Sequence, residues 1–151
     1  MRKIEALSAA LKYAEMGWSV LPVHSVINGH CTCGRPACQS PGKHPKTKNG
    51  VNNATKDASV IKEWFTKRPN SNIGIATGRP SGFIALDFDG EEGERSLNEL
   101  QSVYGGLPVT VVQLTGGGGR HILFKHPGGV IKNKVKLAPG VDIRGDGGYI
   151  L

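Results

Sequence analysis

Carboxylates, aromatics and long apolar runs are all scarce in this chain of 151 residues. Asp and Glu number 12 against 19 Lys and Arg, a formal net charge of +7, and aromatic residues make up 6%. No stretch approaches the ~18 uninterrupted apolar residues of a membrane span, and the N-terminal MRKIEALSAALKYAEMGW carries charge throughout instead of a signal-peptide apolar block. A soluble, cytoplasmic chain without a membrane partner is expected. No glycine loop ends in Gly-Lys-Ser/Thr, which excludes P-loop ATPase chemistry within these residues. The three cysteines are odd in number and crowded together, which argues against a disulfide framework. Gly (22) and Pro (9) stay below the level of low-complexity disorder, about one residue in four. With 38% hydrophobic residues, the length fits one domain, 1–151, with a real core.

The charge is uneven. Residues 1–70 hold 11 basic and 4 acidic side chains, residues 71–110 hold 2 and 6, and residues 111–151 hold 6 and 2. An acidic centre between basic flanks suits a polyanion held by basic surface around a carboxylate cluster that binds metal.

Periodicity predicts a helix over 3–16 (Ile4, Leu7, Leu11, Ala14) stopped by Gly17, then a strand at Trp18–Val23 whose Pro22 points to a sheet edge or to the strand's end. Residues 24–53 have almost no large apolar side chain and need something other than a core to order them. A second helix runs through Val60, Ile61, Trp64 and Phe65, with Thr55 or Asp57 as its cap. Strands follow at 72–76 and 82–89, a helix on Leu97, Leu100, Val103 and Tyr104 closed at Gly105, and strands at 109–114 and 121–124. Another strand begins at Gly148. Because Leu151 lies in mid-strand, the chain reads as a fragment of a longer protein.

Asp87 and Asp89 end the most apolar strand, two residues apart and so on one face, a natural seat for Mg²⁺ or Mn²⁺. A third carboxylate ligand would be Asp142 or Asp146. Asp142 is the better candidate, since Asp146 sits in a Gly-Asp-Gly-Gly turn. The run Thr115-Gly-Gly-Gly-Gly119 allows close backbone approach to a phosphate, with Arg120 and His121 beside it as donors. Cys31, Cys33, Cys38 and His44 suffice for tetrahedral Zn²⁺. All four positions would be protein ligands, so the ion would be structural. His24 and His30 are substitute ligands, and Lys43, Lys46 and Lys48 would face solvent or a phosphate backbone.

These pieces, in this order, resemble the archaeo-eukaryotic primase superfamily, in particular the bifunctional primase-polymerase domain of plasmid and phage replication proteins. The resemblance rests on the Cys-x-Cys-Gly…Cys…Pro-Gly-Lys-His-Pro knuckle, Leu-Asp-Phe-Asp, Gly-Arg-His and Gly-Val-Asp-Ile-Arg-Gly-Asp-Gly-Gly-Tyr. It implies an α+β fold: an RRM-like catalytic core with an N-terminal α/β unit and an inserted zinc knuckle. It also implies Asp87, Asp89 and Asp142 as ligands of two catalytic ions, His121 on the incoming nucleotide, and Arg120, Gly119 and Arg144 as further nucleotide contacts. The activity implied is nucleotidyl transfer from NTP or dNTP on a single-stranded DNA template, with a fused or associated helicase as partner. Two other readings fit parts of the pattern. Asp87-Phe-Asp-Gly90 also opens the motif of haloacid-dehalogenase-type phosphatases, with Asp87 as nucleophile, although Glu91 stands where a threonine is expected. The third is a non-catalytic, zinc-stabilised nucleic-acid-binding module.

Overall fold

The computed structural model describes residues 3–151. In chain order its elements are α1 (Lys3–Glu15), β1 (Val20–Val23), β2 (Val26–Ile27), β3 (His30–Cys31), a 3-10 turn (Gly50–Asn53), α2 (Ala58–Lys67), β4 (Asn72–Ala76) and β5 (Phe83–Phe88). There follow α3 (Gly90–Tyr104), β6 (Val112–Leu114), β7 (Arg120–Lys125), β8 (Lys134–Ala138), β9 (Val141–Arg144) and β10 (Tyr149–Ile150). The fold is α+β, as expected. The chain folds as two compact units. One comprises residues up to Ala76 with Tyr149–Leu151, the other Thr77–Gly148.

In the first unit a sheet of order β1-β4-β10 packs against α1 and α2. Pro22, which has no N–H to donate, sits on the edge strand β1. Ile61 and Phe65 of α2 are completely or almost completely buried, each worth about 1.5–3 kcal/mol of transfer free energy. Asp57 is the cap of α2: its Oδ1 accepts from the N–H groups of Ser59 and Val60 at 2.8 and 3.4 Å. On α1 the buried stripe is Ala6 and Ala10, with Leu7, Leu11 and Ala14 only half-buried. The small residues let the helix approach its neighbours closely. The side chain of Ile4 lies outside the described residues.

The stretch 24–53 is less bare than its composition suggests. β2 and β3 form a hairpin whose turn, Asn28-Gly29, has φ of +50° and +79°, the left-handed pair that a two-residue hairpin demands.

The second unit is a five-stranded antiparallel sheet of order β6-β7-β5-β9-β8. The apolar strand β5 is central, as its composition predicts. Phe88, Leu97, Ile122 and Val141 form a core with Leu86, Phe124 and Ala138, and α3 packs on this face. The expected strand at 109–114 shortens to β6, since Val109 is fully exposed. The head of α3 rests on the β8–β9 turn. A Cβ on Gly140 would lie 2.4 Å from the Gly93 nitrogen, so both glycines are needed for the approach.

Candidate active site and metal centre

Adjacent strands of the second unit align four polar side chains in one cross-strand row. Gln113 pairs with His121, His121 with Asp87, and Asp87 with Asp142, across β6, β7, β5 and β9. Register partners share a face, and alternation puts this row opposite the Phe88–Val141 face that α3 covers. His121 Nδ1 lies 2.9 Å from Gln113 Oε1, and His121 Nε2 approaches Asp87 Oδ1 to 3.4 Å. Arg144 Nη2 reaches Asp87 Oδ2 at 3.4 Å and Asp142 Oδ2 at 3.0 Å, while Asp142 Oδ1 accepts from the Lys136 N–H at 2.8 Å.

Asp87 is the most constrained group of the row. Its side chain is 10% exposed, and Oδ1 is buried without a hydrogen-bond partner, the His121 approach being an ion-pair distance without hydrogen-bond alignment. Burial pushes its pKa up, and the neighbouring His121 and Arg144 outweigh that and hold it below the ordinary carboxylate value. A buried, ionised carboxylate with one oxygen unsatisfied is suited to a divalent cation. Arg144 already places positive charge between the two acids.

Asp89 lies one residue past β5, exposed, with extended φ and ψ of −104° and 126° at the head of α3, and its side chain makes no capping bond. Its carboxylate is therefore not consumed by the helix it precedes. The carboxylates of this unit nevertheless form no tight group of three ligand atoms among the described residues. Gly119 has a packing role of its own: a Cβ there would meet the Phe88 carbonyl oxygen at 2.5 Å. Arg120 projects to the other face of β7 and pairs with Glu94 of α3 at 2.7 Å. Asp146 is used by the backbone. It accepts from the N–H groups of Arg79 (2.9 Å) and Ile131 (2.8 Å), which, with His126, depress its pKa.

Sequence reasoning missed Gln113 and Lys136. Gln113 is a polar residue inside a predicted apolar strand, and that break in pattern was the available signal.

The first unit holds a second constellation. Cys31, at the end of β3, and Cys33, Cys38 and His44 present ligand atoms that all lie within 4.8 Å of one another. His44 Nε2 is 3.6 Å from Cys31 Sγ and 3.5 Å from Cys38 Sγ. A tetrahedral Zn²⁺ with bonds of ~2.3 Å to sulfur and ~2.0–2.1 Å to nitrogen sets S···N edges of about 3.5–3.6 Å, the length of these two edges from His44. The Gly42 N–H, donating to Cys31 Sγ, leads the groups that bring that thiol's pKa down to about 6 against burial, while burial pushes Cys38 up. A thiolate ready at neutral pH favours metal binding. His24 packs against His44 with the rings tilted by 36° and 4.3 Å between centroids, has Nδ1 on Thr32 Oγ1, and is not part of the group.

Residues 10–151 match the family described as bifunctional DNA primase/polymerase, N-terminal. The chain belongs to that family. A search of the curated proteins finds no significant match. The primase/polymerase match covers both compact units, and with them the Cys₃His group and the Gln113–Asp142 row. At family level, DNA and nucleotides are the substrates of such a domain. No helix among the described residues of this primase/polymerase domain is long and apolar enough to cross a membrane.

Proposed function

We propose that the chain is a nucleotidyltransferase that synthesises primers, extends DNA on a single-stranded template, or does both, in plasmid or phage replication. In this reading Asp87, Asp89 and Asp142 hold Mg²⁺ or Mn²⁺, and Cys31, Cys33, Cys38 and His44 hold a structural Zn²⁺. The observation that carries it is the row of Gln113, His121, Asp87 and Asp142 on the face of the sheet opposite α3. The order β9-β5-β7-β6, with a helix after the central β5, supports an RRM-like core. Strand β8 occupies the stretch of chain where such a core has its second helix, and it extends the sheet beyond β9 instead.

The carboxylates of the row concentrate negative charge that a divalent ion would offset, and a bound ion would supply charge neutralisation to the triphosphate and to the departing pyrophosphate. The chain's own groups do the rest. His121, with Nδ1–H given to Gln113 Oε1, is held at a fixed ring angle, and protonation at Nε2 makes it a cationic donor on the Asp87 side. A triphosphate oxygen meeting that N–H gains a charge-assisted bond. Arg144 is a counter-charge for Asp87 and Asp142 and a second donor for phosphate. The basic surface of residues 1–70 would hold the template in a salt-dependent way.

The deciding experiment is incorporation of labelled nucleotide opposite a single-stranded template of defined sequence, with Mg²⁺ and with Mn²⁺. Template-directed product that disappears on adding a chelator supports the reading. Release of inorganic phosphate from small phosphoesters without incorporation would transfer it to a phosphatase.

A further inference from the structure

Between Glu15 and Asp57 the chain has no carboxylate side chain, while Arg35, Lys43, Lys46, Lys48 and Lys56 all lie in that stretch. Three thiolates and a divalent ion at the Cys₃His group sum to only −1, so the stretch stays cationic with its metal bound. Most of these cations are exposed and solvated. Lys46 is half-buried and lines a cleft of about 310 Å³ together with His24, Thr32 and Arg68.

The four side chains come from separate parts of the first unit, and those of His24, Thr32 and Lys46 are held by hydrogen bonds. His24 follows β1, Thr32 follows β3, Lys46 lies two residues past His44, and Arg68 is the C-cap of α2. Thr32 Oγ1 accepts from the Ser25 N–H at 3.1 Å and meets His24 Nδ1 at 2.9 Å, which orients both. Lys46 Nζ donates to Ser71 Oγ at 3.0 Å, and Arg68 is near enough to repel it. The Arg68 backbone N–H closes α2 on the Trp64 carbonyl, which leaves its guanidinium uninvolved in the cap. Neither Lys46 nor Arg68 is paired with a carboxylate among the described residues. An ammonium and a guanidinium line one cleft with a hydroxyl and an imidazole and no carboxylate among them, and the Cys31 thiolate that attracts Lys46 belongs to the Cys₃His group. An oxyanion is the ligand that satisfies these donors.

We propose that the cleft of His24, Thr32, Lys46 and Arg68 is a phosphate-binding site, taking a phosphodiester of a nucleic-acid strand or a strand's terminal phosphate. It lies in the first unit, apart in sequence from the row of the second, and does not depend on the chain being a polymerase. The test is fluorescence anisotropy on the full, zinc-loaded chain with 3′-labelled oligothymidylates carrying either a 5′-hydroxyl or a 5′-phosphate. Lys46→Gln and Arg68→Gln are compared with Lys67→Gln, an exposed lysine paired with Glu63 at 2.6 Å. If the ligand is a terminal phosphate, the phosphorylated strand binds several-fold tighter and either cleft variant erases the difference. If it is an internal phosphodiester, both strands weaken alike by about 5- to 10-fold and the salt slope falls by about one per charge removed. Cleft variants indistinguishable from Lys67→Gln on both strands would overturn the proposal. A measurement on the unmodified chain guards against misfolded variants. Inorganic phosphate titrated into ¹⁵N-labelled protein should shift Thr32, Lys46 and Arg68 amides first, and shifts elsewhere with none here count equally against the site.

Discussion

Asp87 and Asp142 are register partners in the β5–β9 ladder, and one guanidinium, that of Arg144, touches both. Like charges placed directly opposite on a sheet destabilise it unless something intervenes. Here the intervening cation is two residues along the same strand as one of the acids, so Asp142 and Arg144 share a face of β9 and arrive together. The motif Asp-Ile-Arg therefore encodes a carboxylate and its counter-charge in a single strand.

Asp87→Asn and Asp142→Asn should each abolish nucleotide incorporation while leaving single-stranded DNA binding equal or slightly tighter, because each removes a ligand oxygen's charge and a repulsion toward phosphate together. Primer extension and anisotropy on the same preparations separate the two effects. Extension at near wild-type rate by either variant would remove these acids from the metal site.

His121→Ala should raise the barrier for nucleotide use by roughly 1.5–3 kcal/mol, the scale of a hydrogen bond to a charged group. Gln113→Leu should cost about 1 kcal/mol, since it leaves the imidazole in place and removes only its restraint. The double variant should be no worse than His121→Ala alone, because Gln113 acts through the ring. Steady-state kcat/KM over a nucleotide titration measures all three. Additive losses would mean that Gln113 works by another route.

Acid should weaken the second unit through Asp87. Its pKa is held below the ordinary carboxylate value, near 3.9 when unfolded, so the unfolded chain binds the proton more readily. The associated stability is present above that value and is lost as pH falls from about 4 through the lower folded value. Urea melts across pH 2.5–6 should show this slope, and Asp87→Asn should flatten it. An equal slope in the variant would assign the acid sensitivity to other carboxylates.

Purified chain should carry one Zn²⁺, and Cys33→Ala with Cys38→Ala together should reduce metal content to near zero and lower the melting temperature of the first unit. Elemental analysis beside calorimetry gives both numbers. Metal-free protein with an unchanged melting transition would leave the four side chains without a structural role.

The parts legible in sequence were those that local chemistry decides. The Cys₃His group could be read because a stretch without a core has to be ordered by something, and the turn at Asp146 because glycines on both sides mark one. Helix α2 followed from its Asp57 cap and apolar spacing. The hairpin at Asn28-Gly29 carries an equally plain signal in its turn chemistry, which a count of large apolar residues does not register. What sequence could not supply was register. Strand β8 carries the charged/apolar alternation of a strand, but its residues are almost all exposed, so the alternation does not tell which strand it pairs with. The meeting of Gln113 with His121, or of Arg144 with Asp87, depends on which residues oppose one another across strands far apart in the chain. Arg120 and His121 are neighbours in the glycine-run motif, yet the pleat sends them to opposite faces, one to Glu94 and one to Asp87.

The return of the chain to β4 gives the second unit an unusual topological status. Tyr149 and Ala76 are antiparallel partners, the positions that close a β-hairpin, and everything from Thr77 to Gly148 fills the place of its loop. During synthesis β4 waits with one edge open until that whole segment has emerged, whereas loop-closure entropy grows only logarithmically with the length in between. The same geometry makes the insertion removable on paper. A two-residue turn joining Ala76 to Tyr149 would preserve the register and leave a minimal protein of helices α1 and α2 on a three-stranded sheet, in which β4 and β10 form a hairpin and the Cys₃His stretch and α2 connect β1 to β4.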